Sequence, residues 1–264
     1  LHFNRVADSP KALKTALACG DHLLDALGQR LPGENIEQSG TSRPLWTGLS
    51  HGVSGMAWAL FELASVSADD RYRQMGLQAV EFERKTFCPE VGNWPDLREA
   101  DERPPGAEEE QLTGIEDKIS KFECAWCHGA PGIGLARILS FPYLSDATAL
   151  EEIQVAAATT LREGSYGNHS LCHGDLGNLE LFLHAKKVLG DSNPNYDAVP
   201  MASRILESIR EHGPRCGIPL AVETPGFMTG ISGIGYGLLR AAAPDRVPSV
   251  LALQPPSDGN YAKR

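Results

Sequence analysis

The sequence predicts an all-α protein built from repeated helix pairs, on three observations. A turn of the form Gly-x-x-Gly, leading into an apolar run of helical period, recurs four times along the 264 residues. Longer amphipathic segments alternate with those runs. Strand-like patterning is sparse, and residues 216–222 (CGIPLAV) are its best candidate.

The elements follow in order. Residues 9–28, SPKALKTALACGDHLLDALG, are of the amphipathic type. The first glycine turn opens HGVSGMAWALFELA at His51, with Met56, Trp58, Leu60, Phe61 and Leu63 at helical spacing. Residues 69–87, DDRYRQMGLQAVEFERKTF, form the next amphipathic segment. The second turn opens HGAPGIGLARILSF at His128, and its follower, residues 145–164, stops at Gly164. The third opens HGDLGNLELFLHAKKVL at His173, and residues 201–213 after it stop at Gly213. TGISGIGYGLLRAAA, from Thr229, completes the series.

In this alternation the short apolar helices belong inside and the amphipathic ones form an outer layer. A closed ring of helix pairs and an open helical solenoid both satisfy such a repeat. Paired glycines at each inner helix start are expected to let backbones pack closely, their missing side chains leaving room near the ring axis. Four inner helices enclose too little of a ring. The start, LHFNRVADSPKALK, has neither an initiator methionine nor a signal-peptide pattern. Residues 1–264 therefore read as the C-terminal piece of a longer polypeptide, with earlier repeats absent.

Composition narrows the partners. A net charge of -10 makes nucleic acid and anionic membrane poor partners, because phosphate binding needs clustered Lys and Arg. No apolar run approaches the roughly 20 residues of a membrane span. Six cysteines, at 19, 88, 124, 127, 172 and 216, show no regular framework, which favours a cytoplasmic protein with reduced thiols.

Two of those cysteines stand in Cys-His-Gly turns. Zinc takes four tetrahedral ligands, and catalytic sites commonly use three from the protein with one position open. Cys127, Cys172 and His173 all precede equivalent Gly-x-x-Gly turns, so a ring brings them to one end. Adjacent Cys172 and His173 can both ligate because a turn, not regular helix, carries them. Cys124, in CAWC, is a weaker candidate, and Cys19, Cys88 and Cys216 read as core or loop residues. His51 sits in a cysteine-free version of the turn and fits a fourth ligand, a general acid or base, or a buried hydrogen-bonded histidine. His128 is a second candidate for acid–base work. His2, His22, His169, His184 and His212 have surface or packing contexts.

The four stretches SHGVSGMAWAL, WCHGAPGIGLAR, LCHGDLGNLEL and TGISGIGYGLLR together resemble the C-terminal signatures of lanthionine cyclases. The second and third most resemble the bifunctional class II lanthipeptide synthetases, in which a dehydratase domain precedes the cyclase. The resemblance spans residues 46–243. It implies an α/α toroid of inner and outer helices with zinc at one end, held by Cys127, Cys172 and His173. It places the family's active-site histidine on His51. His128 stands where stand-alone class I cyclases have tyrosine. The family's aspartate comes from an earlier repeat that this chain does not contain.

The activity implied is Michael-type addition of a peptide cysteine to dehydroalanine or dehydrobutyrine, giving a thioether ring, with His51 or His128 supplying a proton. The partners implied are a lanthipeptide precursor, leader plus core, and the dehydratase domain of the same polypeptide. A zinc-stabilised peptide-binding module without cyclase activity is the alternative. A toroidal glycosidase would need paired carboxylates, and Asp175 is the only carboxylate within the turns. The acidic stretch 96–118 reads as a solvated loop or a contact surface for leader or dehydratase.

Overall fold

The computed structural model describes residues 9–31, 45–98, 122–144, 146–165, 167–190 and 194–255. Through them run α1 (Pro10–Gly28), α2 (Val53–Ser67), α3 (Asp70–Lys85), α4 (Ala130–Leu144), α5 (Ala147–Glu163), α6 (Asp175–Leu189), α7 (Val199–His212) and α8 (Ile231–Ala242). Each coincides with a segment that the periodicity predicts. Of the acidic stretch, residues 96–98 are described and the rest lies outside the described residues.

Among the described residues there is no strand, only two isolated bridges, Cys88 with Asn93 and Cys124 with Gly129. The strand expected at 216–222 is instead irregular, with a 3-10 turn at Pro219–Ala221. Pro219 has no amide to give a ladder, and Leu220 sits at φ 62° and 95% exposed, so neither pairing nor burial rewards extension there.

Inner and outer helices begin in different ways. Side chains cap three of the outer helices, α7 starting instead at Ala198 without one: Ser9 accepts from the Ala12 amide, Asp69 from Arg71 and Asp146 from Ala149. The inner helices α2, α6 and α8 start from extended glycines, Gly52, Gly174 and Gly230, with no side-chain cap. At the second glycine of each turn an added Cβ would overlap a carbonyl oxygen: that of Leu49 at Gly55, Trp126 at Gly132, Leu171 at Gly177 and Phe227 at Gly233. The room expected near the axis is thus filled by each turn's own backbone. Glycine is demanded by that contact.

Packing follows the alternation. Each inner helix contacts the next, α2 to α4 to α6 to α8, while α3, α5 and α7 pack against their inner partners. Inner helix α4 is buried on nearly every side, including Ile133, Leu135 and Ile138. Leu23 of α1 and Leu253 beyond α8 line one cavity, so the two ends of the series curve toward each other as in a ring. No helix among the described residues is long and apolar enough to cross a membrane.

A buried charge network ties the layers together. Arg137 of α4 bonds Glu83 of α3 at 2.9 Å and Glu152 of α5 at 3.0 Å. Glu83 also accepts from the Gly48 amide at 2.8 Å and from the Ser54 hydroxyl, which anchors the first glycine turn to the outer layer. Burial opposes the charge on Arg137, but the two carboxylates outweigh it and its pKa is raised.

Candidate metal centre

The glycine turns are hydrogen-bonded to one another in repeat register. The Ser50 amide donates to the Cys127 carbonyl at 3.3 Å, the Cys127 amide to the Cys172 carbonyl at 3.3 Å, and the Cys172 amide to the Met228 carbonyl at 2.9 Å. All four residues stand immediately before the His-Gly or Thr-Gly of their turns. The relay therefore sets equivalent positions side by side on one rim.

Three of the sequence candidates meet there. The Cys127 and Cys172 thiols lie near enough to influence each other's protonation, as do Cys172 and the His173 ring. Cys127, then His173, hold the Cys172 pKa down to about 5 against burial. Cys127 moves the other way, pushed up first by Cys172 and then by burial. His173 is raised by Cys172, which burial opposes. Its Nε2 lies 2.7 Å from the Gly217 carbonyl, which can only accept, so Nε2 carries the proton and Nδ1 is left for another partner. Among the described residues no group of three or more His, Cys, Asp and Glu forms a ready-made metal cage. The trio is joined in pairs through Cys172.

His51 and His128 stand beside the trio, their rings stacked with centroids 5.0 Å apart and planes 9° from parallel. His51 is exposed, whereas His128 is 1% exposed and neither of its ring nitrogens has a hydrogen-bond partner of ordinary geometry among the described residues. Burial, followed by the nearby Arg98 charge, lowers the His128 pKa to about 4, so this ring is neutral near pH 7. A cavity of about 600 Å³ opens next to His51, walled by Met56, Trp58, Trp126, Phe227 and Leu253.

Other thiols lie elsewhere. Cys124 turns toward the Thr159 carbonyl of α5, 3.9 Å away, and burial pushes its pKa up to about 12. None of the six cysteines is in a disulfide. His169 and His184 are packing residues: His169 bonds Ser208 and the Arg215 amide, and His184 bonds Glu180.

Sequence reasoning missed the residues that hold this rim in shape. Asn168 donates to the His173 carbonyl at 3.1 Å and accepts from the Ser170 amide at 3.0 Å. Asn93 donates to the Glu123 carbonyl and accepts from the Ala130 amide, bracketing the Cys127 turn. Gly217 accepts from His173, and a Cβ on it would stand 2.9 Å from that ring's Nε2. Asn168 is near enough to its turn for a local reading to find. The contacts of Asn93 and Gly217 cross between repeats and leave no local signal.

A curved series of helix pairs, with thiols and imidazoles gathered on one rim by equivalent turns, defines an α/α-toroid protein. The family model described as "Lanthionine synthetase C-like protein" matches residues 1–252, and the chain belongs to that family. It is 27% identical over 208 residues to the lacticin 481/lactococcin biosynthesis protein LcnDR2 of Lactococcus lactis subsp. lactis, covering 72% of this chain and 20% of that protein. It is 28% identical over 214 residues to the glutathione S-transferase LANCL1 of Danio rerio, covering 76% of this chain and 44% of that one. The chain thus spans less than half the length of these relatives. Its fold is that of nisin cyclase, with a TM-score of 0.57 at 18% identity, over 79% of this chain and 50% of the cyclase.

Proposed function

We propose that the chain forms a zinc-dependent cyclase site that makes lanthionine and methyllanthionine rings in a lanthipeptide precursor. The observation that carries this reading is the backbone relay that sets Cys127 beside Cys172 and His173 on the rim, with His51 stacked on the neighbouring His128. The donor set suits zinc: two thiols, one already thiolate-prone, and an imidazole whose Nε2–H is committed to a backbone carbonyl, the usual support of a metal-binding histidine. Cys127, Cys172 and His173 through Nδ1 would hold the metal. Zinc, when bound, lowers the pKa of a thiol so that cysteine reacts as thiolate near neutral pH.

The chain's own residues do the rest. The cavity beside His51 takes an extended peptide segment of the precursor core between Trp58, Trp126 and Phe227. The attacking sulfur bonds to Cβ of the dehydro residue, and the C=C electron pair moves to Cα and the amide oxygen. His51, exposed at the rim, returns a proton to Cα, and the neutral His128 ring stacked behind it fixes its plane. The precursor's leader and a dehydratase domain of the same polypeptide are the partners of this reading. The thiol chemistry suits a reducing compartment such as the cytoplasm.

The test uses the natural full-length protein and a dehydrated precursor. About one zinc per chain is expected, with loss of both metal and ring formation in Cys127→Ala and Cys172→Ala, read by metal analysis and by mass spectrometry after thiol alkylation. Ring formation by a zinc-free protein would overturn the metal assignment. Metal and precursor binding without rings would identify a peptide-binding module instead. Glutathione, added as a competing thiol, should not displace the intramolecular one.

A further inference from the structure

The start of the acidic stretch is built into the rim. Asn93 is bonded on both sides of the Cys127–His128 turn, to the Glu123 carbonyl at 3.0 Å and the Ala130 amide at 2.8 Å. Two residues on, the Pro95 carbonyl accepts from the hydroxyl of Thr47, at the base of the turn that carries His51. Gly48, next to Thr47, packs against the Cys127 carbonyl and the His128 Cα. Residues 93–95 are thereby stapled to both turns, and the next three residues leave from that point.

Those residues form a clamp. Arg98 Nε donates to both Asp96 oxygens, at 3.0 and 2.9 Å, Nη2 donates to Oδ2, and the Arg98 amide donates to Oδ1 at 3.0 Å. The Asp96 side chain is 8% exposed and the Arg98 side chain 40%, so a buried carboxylate grips an arginine that still reaches solvent. The Nη1 edge has no partner among the described residues. The charge of Arg98 acts on the Cys127 thiol and on His128. An ordinary surface pair of this kind contributes little to stability, roughly 0–1 kcal/mol, so stability alone is a weak reason for its placement.

We propose that Arg98 is an oxyanion-binding residue of the site, its guanidinium bonding the amide oxygen of the dehydro residue as charge builds there, with Asp96 as the residue that positions it. This rests on the cyclase reading above. When sulfur bonds to Cβ, the displaced electron pair develops as an enolate on that oxygen, and it is discharged when a proton reaches Cα. A cation aimed at the oxygen stabilises the transition state more than the neutral amide. The buried Asp96 keeps the guanidinium in one orientation, so little reorganisation is needed as the charge appears.

The experiment measures single-turnover ring formation on a dehydrated precursor by the natural full-length protein, together with zinc content and thermal midpoint. Arg98→Met should slow the reaction about 100-fold or more, with zinc and midpoint unchanged. Arg98→Lys should keep part of the rate. Methylguanidinium should restore rate to Arg98→Ala and leave wild type unaffected, a response that a purely structural arginine would not show. Asp96→Asn should lower the rate less than Arg98→Met does. Wild-type rates in Arg98→Met, loss of zinc in that variant, or no rescue by methylguanidinium would overturn the assignment while the cyclase reading stands. Failure of wild type itself to form rings would instead strike the reading on which the assignment rests.

Discussion

The Cys127 amide donates to the Cys172 carbonyl at 3.3 Å, which locks two thiols from different repeats into neighbouring places on one rim. The same relay joins Ser50 to Cys127 and Cys172 to Met228, so the site is a product of the repeat itself. Anything that disturbs the register of one turn disturbs the ligands of the next.

Gly217 tests that coupling at the His173 end. Gly217→Ala puts a methyl 2.9 Å from His173 Nε2 and closer still to the Ser170 hydroxyl. The hydroxyl can rotate away, but the ring must leave the Gly217 carbonyl that orients it. Zinc affinity should fall about 10–100-fold, the usual cost of losing such support, in a competition titration against a chelating dye. An unchanged affinity would show that the Gly217 contact does not set the ring.

His51→Ala should separate proton delivery from metal binding. Ring formation is expected to slow by about 100-fold or more, with zinc content equal to wild type. Loss of zinc would make His51 a ligand, and a normal rate would remove it from the chemistry. His128→Phe keeps the stacked surface and should cost much less than His51→Ala.

Arg137→Met leaves Glu83 buried against α4 without its cation, and leaves Glu152 with Arg84 alone. Removing one member of a buried ion pair commonly costs about 3–5 kcal/mol, and urea denaturation should register a loss of that order. Glu83 also holds the Gly48 amide, so the first glycine turn should loosen too. Adding Glu83→Gln and Glu152→Gln should recover part of the loss. No recovery would mean that the damage comes from lost packing volume.

His169 gives the protein an acid-sensitive element. Burial, then the charges of Arg215 and His212, lower its pKa below the ordinary value of 6.5. As pH falls below about 6.5, the unfolded chain takes a proton that the folded one refuses, so stability declines by up to about 1.4 kcal/mol per pH unit from this group. The decline ends once pH passes below the folded-state pKa, and above pH 6.5 the group contributes no slope. His169→Gln should flatten the pH dependence of the unfolding midpoint just below 6.5. An identical slope would show that His169 is not responsible.

The repeat was legible in the sequence because its parts are local. Each inner helix declares itself by glycine spacing and an apolar run, each outer helix by amphipathic period, and caps such as Asp69 and Asp146 lie within three residues of the amides they serve. Cys127, Cys172 and His173 could be picked out for the same reason: they occupy matching positions in matching turns, and matching turns of a ring must face one way. What the tertiary structure decided are contacts between segments far apart in the chain. Arg137 meets Glu83, Gly217 meets the His173 ring, and Asn93 brackets the Cys127 turn just ahead of a stretch that reads as an acidic, solvated loop. The glycines show the same division. Their positions were plain, but the carbonyl oxygen that excludes a side chain at each of them is brought there by the closure of the turn. Periodicity can report which face of a helix is buried; the identity of the atom lying against it depends on the path of the backbone between repeats, which no local pattern encodes.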